Sequence, residues 1–465
     1  MRRTYEVIFL ETRRRTARPK TPGSTVSGVP NTTTKNQNVL KAVPSLVGMK
    51  DWLQALGHSD SEVNNLNIIH VSGTKGKGST CAFTRSFLRA HSVRTGYPKR
   101  IGLYTGPHLQ CVRERIQIDD HPVPEDMFTR YFFEVWDRIM PREVERDLSA
   151  TRQPHYLQFL ALLAFHTFIK EEIEAAIFEV HHGGEYDATN VIQNPVVTGI
   201  TSLGMDHVAQ LGPTIESIAW HKAGIFKSGA PSFSVPQEPG CAEVMRKRAL
   251  DRGTALTFVS ANDGLPSVGR LLSVPVQQLN CSLALELTKA FVKAKAADHT
   301  ISDQDVYDGV KNFSLAGRFK IIDERKLRWF VDGAHNILGL EQVAEWYGTN
   351  TNNENRRALI FSHLSEERDG VALVRSLARA LVRNNARPDH VIFTSYQEKE
   401  SSSIDRIIKA PYSSFHDTCA SYSMVWNDVN PYATVTIAPT IESAVNLARD
   451  IAARENNIQV LVTGS

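Results

Sequence analysis

Residues Gly73-Thr74-Lys75-Gly76-Lys77-Gly78-Ser79-Thr80 constrain this chain more than any other stretch. They lie between an apolar run, Ile68-Ile69-His70-Val71, and a helix-like segment from Cys81 to Leu88. Strand, glycine-rich turn and helix, in that order, form the frame of a phosphate-binding loop. Glycines let backbone N–H groups turn toward a polyanion, and the helix N-terminus adds partial positive charge. The expected ligand is a nucleoside triphosphate. The bland alternative is a flexible lysine- and glycine-rich surface turn, which the flanking strand and helix argue against. The usual loop places Ser or Thr directly after Gly-Lys; here Gly78 separates Lys77 from Ser79 and Thr80.

A chain of 465 residues has room for two or three domains. Apolar residues make up 42% and charged residues 22%, the balance of an ordinary globular protein with a sizeable core. With 53 basic and 50 acidic residues the net charge is only +3, too even to imply nucleic acid or membrane binding by itself. The five cysteines are dispersed and form no CxxC pair, so neither a zinc site nor a disulfide framework is expected, and a reducing compartment fits best. No apolar run is long enough to span a bilayer. The N-terminus carries Arg2, Arg3, Arg13, Arg14, Arg15, Arg18 and Lys20, as a mitochondrial presequence might be built, but Glu6 and Glu11 interrupt it. A cytoplasmic protein is the expectation, with a mitochondrial pool as the alternative.

Residues 1–45 read as an N-terminal helix and a Thr/Ser/Pro/Asn-rich loop attached to the first domain. From about residue 46 strand-like and helix-like segments alternate, which argues for α/β structure with a mainly parallel sheet. Strands are predicted over Asn67–Val71, Ala175–Val180, Val196–Leu203 and Ser232–Val235, and helices over Met127–Ile139, Tyr156–Ile169 and Ile215–Ala223. A second α/β block has strands over Trp329–Val331, Ala358–Phe361, His390–Thr394 and Val460–Val462, with helices over Leu340–Trp346, Val371–Val382 and Ile441–Ala453. Thr349–Asn355 reads as a surface turn. The boundary falls near Leu315-Ala316-Gly317-Arg318, giving domains 46–315 and 316–465. No internal repeat is apparent.

Three further strings in the first block carry chemistry. Glu179 ends a predicted strand and opens Glu179-Val180-His181-His182-Gly183-Gly184-Glu185-Tyr186-Asp187-Ala188-Thr189-Asn190. A carboxylate at the C-terminal end of a parallel strand stands where α/β sheets bind ligands, and Mg²⁺ prefers oxygen donors. A surface acid is the bland reading. Adjacent side chains on extended backbone point to opposite faces, so one metal ion rarely takes both His181 and His182. Next come Thr201-Ser202-Leu203-Gly204-Met205-Asp206-His207 and Ile218-Ala219-Trp220-His221-Lys222-Ala223-Gly224. A histidine after a strand is more often structural, and a lysine more often a surface residue. Between loop and metal candidates lie Tyr104-Thr105-Gly106-Pro107-His108-Leu109 and Arg113-Glu114-Arg115-Ile116. Beyond them come Gln277 and Asn280, then Gly317-Arg318 and Asp332-Gly333-Ala334-His335 in the second block.

Taken in order, these strings resemble the motifs of the folylpolyglutamate synthases of the Mur ligase superfamily, in a eukaryotic, fungal-like form. The resemblance covers residues 46 to 465. It implies a phosphate-loop ATPase domain with a mainly parallel sheet and a smaller Rossmann-like α/β domain. It implies an ADP-forming ligase that adds L-glutamate to tetrahydrofolate or its polyglutamates through an acyl phosphate, using ATP and Mg²⁺, with a monovalent cation such as K⁺ as an optional third cofactor. A monomer with no nucleic-acid partner is expected. By the same resemblance Gly73 to Thr80, Gln277, Asn280, Arg318 and Asp332 hold nucleotide, and Ser79, Glu179, His207 and Lys222 hold metal. Lys222 takes the place of a lysine that is carbamylated in the family, and Lys77, Lys222, Arg318 and His335 are the catalytic candidates. The chain departs from the pattern at Gly106, where the family has a metal-binding serine, at His181, where it has glycine, and at Val276, where it has histidine. It also stops at Ser465, where family members usually continue. Those departures leave two other readings: a ligase for a different carboxylic acid, or a weakened paralogue that binds nucleotide or folate.

Overall fold

The computed structural model describes residues 45–109, 111–140, 153–266, 272, 274–315, 317, 319–352, 354–363, 369–394, 412–455 and 457–464. The predicted N-terminal helix lies outside them, as does Arg318. The chain divides into two compact units, Met1–Leu315 and Ala316–Ser465.

The first unit is built on an eight-stranded sheet. Its strands are β1 (Ile68–Ser72), β2 (Ile101–Tyr104), β3 (Ile116–Ile118), β4 (His121–Pro122), β5 (Ala175–Glu179), β6 (Val197–Ile200), β7 (Ser232–Ser234) and β8 (Leu256–Phe258), in the order β4-β3-β2-β5-β1-β6-β7-β8. The run from β2 to β8 is parallel; β3 and β4 are antiparallel additions at one edge. β1 and β5 are buried along their whole length. That is the burial of strands covered by helices on both faces, and their near-continuous apolar sequences follow from it. The helix Tyr156–Lys170 is buried on most sides, its Phe159 and Phe165 packing against Phe132 and Phe178.

The topology brings three chain segments to one edge. β1 lies between β5 and β6, with Val71 beside Glu179 and Ser72 beside Ile200. The loops leaving these three strands therefore emerge side by side at the C-terminal edge of the sheet, where parallel sheets bind ligands. β6 ends at Ile200 and not at Leu203 as the apolar run predicts. The Ser202 carbonyl instead accepts from the Thr74 and Lys75 N–H groups at 3.0 and 3.2 Å, so residues 201–204 serve as a brace for the glycine-rich loop.

The second unit carries β9 (Lys320–Glu324), β10 (Leu327–Val331), β11 (Arg356–Ser362), β12 (His390–Thr394), β13 (Thr434–Ala438) and β14 (Ile458–Gly464), ordered β13-β12-β11-β14-β10-β9. All neighbours are parallel except β9 with β10. The helix Ile337–Asn350 takes in the first two residues of the predicted turn Thr349–Asn355, because the buried Asn350 donates back to the Trp346 carbonyl at 2.9 Å. The helix Tyr412–Val429 and strand β13 are not among the predicted elements, although Cys419, Tyr422, Val425 and Trp426 recur at helical spacing and Thr434–Ala438 alternates polar and apolar. Among the described residues no helix is long and apolar enough to cross a membrane, and all five cysteines are free.

Candidate active site

The glycine-rich loop turns between β1 and the helix Lys77–Thr95. Gly73, at φ 146°, leads into it, and a Cβ there would run into the Thr201 side chain. Only glycine lets β1 leave the sheet so close to β6. Gly76, left-handed at φ 88°, caps the helix. The N–H groups of Lys77, Gly78 and Ser79 are the first of the helix and have no intrahelical acceptor. No acidic residue stands in that first turn. Donors, dipole and the Lys77 ammonium together make an anion site.

Two lysines converge on one oxygen. Lys77 Nζ donates to the Gly73 carbonyl at 3.0 Å and Lys222 Nζ donates to the same carbonyl at 2.7 Å. Lys222, at the end of the helix Ile215–Lys222, is only 4% exposed. Burial first, and then the nearby Lys77 charge, hold its amine well below the ordinary lysine range. Two ammonium groups on one carbonyl would repel, so a neutral Lys222 amine is the form this geometry favours. Asp206 and Asp187 oppose the shift through their charges.

Glu179 closes the other side of the loop. It is 4% exposed and accepts from the Thr105 hydroxyl and, at 3.3 Å, from the Gly106 N–H. Its carboxylate adjoins Gly78: a Cβ on that glycine would lie 3.5 Å from Glu179 Oε2. Ser79 stands one residue on and receives the Gln277 amide at 3.3 Å. His207, left-handed at φ 51°, turns its ring against His182, with 4.7 Å between centroids. The two adjacent histidines do part company: His182 goes to His207, while His181 packs edge-on against Tyr104 at 4.9 Å. Burial, with Arg115 beside it, pushes the His181 imidazole well below the ordinary histidine range.

Gln277 and Asn280 lie beneath the loop, almost fully buried. Asn280 Nδ2 donates to Gln277 Oε1 at 3.5 Å, and a Cβ on Gly76 would collide with Asn280 Oδ1. That oxygen is buried with no partner, an orphan beside an anion-ready loop. The loop after β5 is locked by residues that no single-residue argument picked out. Asp187 accepts from the His182 and Thr189 N–H groups, and Asn190 donates to the Glu185 and Gly224 carbonyls. Gly184 is required by close approach, since a Cβ there would lie 2.6 Å from the His221 carbonyl oxygen. The quoted string contained these residues, but only folding shows that they hold the loop against the lysine-bearing helix.

In the second unit Asp332 follows β10 directly and is 4% exposed. Its Oδ2 accepts from the Phe319 N–H at 3.0 Å, and Gly333 donates to the Gly317 carbonyl. The two neighbours of Arg318 are thus tied to residues 332–333. His335 Nδ1 lies 2.9 Å from the Gly333 carbonyl.

A divalent cation fits the donors of the first unit. Among the described residues no three His, Cys, Asp or Glu side chains gather into a group that could hold a metal ion. Mg²⁺ needs no such cage; it keeps waters and bridges phosphates with one or two protein oxygens. Glu179 and Ser79, at the phosphate loop, are oxygen donors of that kind.

A loop that grips phosphate on the central strand of a parallel sheet, a buried carboxylate and a buried lysine beside it define a nucleotide-using α/β enzyme. Solved structures agree on the fold. The Mycobacterium tuberculosis folylpolyglutamate synthase, crystallised with ADP and AMPPCP, superposes with TM-score 0.71 at 23% identity, covering 91% of this chain and 93% of the other. The bifunctional folylpolyglutamate synthase/dihydrofolate synthase of Yersinia pestis, crystallised with AMPPNP and a manganese ion, gives TM-score 0.64 at 23% identity over 92% and 97%. No family model matches the chain. Among curated proteins, the folylpolyglutamate synthase of Neurospora crassa is 35% identical over 90% of this chain and 83% of its own length. The probable folylpolyglutamate synthase of Schizosaccharomyces pombe is 38% identical over 90% and 86%. The chain belongs to the folylpolyglutamate synthase family.

Proposed function

We propose that this protein is an ATP-dependent ligase that adds L-glutamate to the γ-carboxylate of tetrahydrofolate and of its polyglutamates. The observation that carries the reading is the convergence of Lys77 and Lys222 on the Gly73 carbonyl, beside a helix N-terminus with free N–H groups and beneath Glu179. A carboxylate repels an incoming amine and is a poor electrophile. In the first step a carboxylate oxygen of the acid attacks the terminal phosphorus of ATP, and the bond to the ADP oxygen breaks. Lys77 and the first-turn N–H groups offset the charge on the transferring phosphoryl group. In the second step the amine of glutamate attacks the acyl carbon, inorganic phosphate leaves with its electron pair, and the ammonium product loses a proton.

Ser79, Glu179, His207 and Lys222 are the residues we assign to metal binding. A bound divalent cation would neutralise phosphate charge. Lys222 suits this task once carbamylated: its neutral amine adds carbon dioxide, an N–C bond forms, one C=O pair moves to oxygen, and a proton is released. The product is an anionic oxygen donor. Gln277 and Asn280 brace the nucleotide loop from below. Arg318 is assigned to charge on the phosphoryl group, and Asp332 and His335 to orienting the nucleotide or the amino acid. Purified protein given ATP, Mg²⁺, tetrahydrofolate and glutamate is expected to yield products heavier by successive glutamyl units. Folded protein that yields none defeats the reading.

We also propose a cytoplasmic monomer, on the balanced charge of +3 and the acidic interruptions Glu6 and Glu11. A C-terminally tagged protein should stain the cytoplasm and elute at the mass of one chain. Signal confined to mitochondria, or elution as a dimer, would reverse the corresponding half.

A further inference from the structure

Between the end of β2 and the loop after β5 lie three polar groups that the reaction above leaves unused. Arg115 is 7% exposed. Its Nε donates to His108 Nδ1 at 2.9 Å, and its guanidinium carbon lies 5.7 Å from the centre of the Tyr156 ring. Its two terminal nitrogens have no hydrogen-bond partner among the described residues. His181 Nε2 is buried with no partner, and so is the hydroxyl of Tyr104, the ring that His181 meets.

Gly106 marks where the first two of these groups aim. Its backbone is not in the left-handed region, so the conformation itself would admit other residues. The side chains as placed crowd them. A Cβ at 106 would fall inside contact distance of Arg115 Nη1 and 2.9 Å from His181 Cε1. The Gly106 N–H donates to Glu179, which ties this point to the carboxylate assigned above to the metal.

A buried guanidinium without an anion leaves a charge uncompensated, and a bound anion relieves it. The guanidinium fork matches the paired oxygens of a carboxylate or a phosphoryl group. The geometry points to Arg115 and His181 as a receptor for an oxyanion of the reacting pair, either the terminal carboxylate of the acid or the phosphoryl group transferred to it. His181 supplies its Nε2, and the Tyr104 hydroxyl stands beside them as a third unpartnered donor. Glycine at 106 lets both groups approach the backbone, since a Cβ there would collide with each. This inference rests on the ligase reading and adds the residues that hold its anionic substrate.

The test uses Arg115→Lys and His181→Leu, each checked for folding by circular dichroism. Tetrahydrofolate monoglutamate and Mg²⁺-AMPPNP are titrated calorimetrically, and inorganic phosphate serves as a plain oxyanion in thermal-shift assays. Each substitution is expected to weaken the probe that carries the oxyanion by roughly 10- to 100-fold, the worth of a hydrogen bond to a charged group. Loss in either titration supports the receptor. The tetrahydrofolate arm would identify the carboxylate, and the AMPPNP arm the phosphoryl group. Unchanged affinity for both ligands in folded variants overturns the receptor. If Arg115→Lys does not fold, His181→Leu, at a half-buried position, decides. A wild-type protein that makes no glutamyl product, yet is stabilised by phosphate only while Arg115 is intact, would keep the receptor and sink the ligase reading.

Discussion

Replacing Lys77 by alanine is expected to lower turnover by about 10²–10³-fold, the usual loss when one preorganised donor to a developing charge is removed. Lys77 is partly exposed, and among the described residues its side-chain hydrogen bonds go to the Gly73 and Thr74 carbonyls of its own loop. Nothing in the core depends on it, so the variant should fold and melt within a few degrees of wild type. Nucleotide binding should weaken less than turnover, because the N–H groups of Gly78 and Ser79 and the Gln277–Asn280 brace remain. Single-turnover measurement of acyl-phosphate formation, with nucleotide affinity measured in parallel, checks the claim. If Lys77→Ala forms product at more than a tenth of the wild-type rate, the loop is not the seat of phosphoryl transfer.

The loop was legible in the sequence because its chemistry is local. Glycines, lysines and the flanking strand and helix occupy one stretch of chain, and each has a backbone reason to be where it is. Glu179 was legible as a strand-end carboxylate for the same reason. The lysine pair was not. Lys222 lies 149 positions from Gly73, and only the fold shows that it shares that residue's carbonyl with Lys77. Periodicity fixed the long amphipathic helices well and overshot β6, since apolar residues after Ile200 look strand-like while their carbonyls are used by the neighbouring loop. The meaning of Gly106 also waited on the fold. In the sequence it is a missing hydroxyl; in the structure it is the point where Arg115 and His181 close on the backbone and a Cβ would collide with both.

Replacing Lys222 by methionine should separate stability from activity. The ordinary lysine value is 10.5, and burial lowers it in the folded protein. Above that value both folded and unfolded chains carry a neutral amine, and the group makes no difference to stability. As the pH falls below it, the unfolded chain takes up a proton that the folded chain does not, so the folded state loses stability until the folded value is passed. At neutral pH an unmodified Lys222 therefore destabilises the fold, and an apolar side chain of similar length relieves that. In buffer stripped of carbon dioxide, Lys222→Met should melt above wild type, with the gap closing as the pH rises toward 10.5. Its turnover should nevertheless fall by about 10²-fold or more, as expected when an anion that offsets metal and phosphate charge is lost. Bicarbonate should raise both the melting temperature and the activity of wild type and leave the variant unmoved, because a carbamate beside the Lys77 ammonium adds an attraction that the neutral amine lacks. Carbon-13-labelled bicarbonate should give a carbamate resonance in wild type that is absent from Lys222→Met. Wild type without that resonance, and with activity indifferent to bicarbonate, would leave Lys222 as a neutral amine bonded to Gly73 and remove it from the metal ligands.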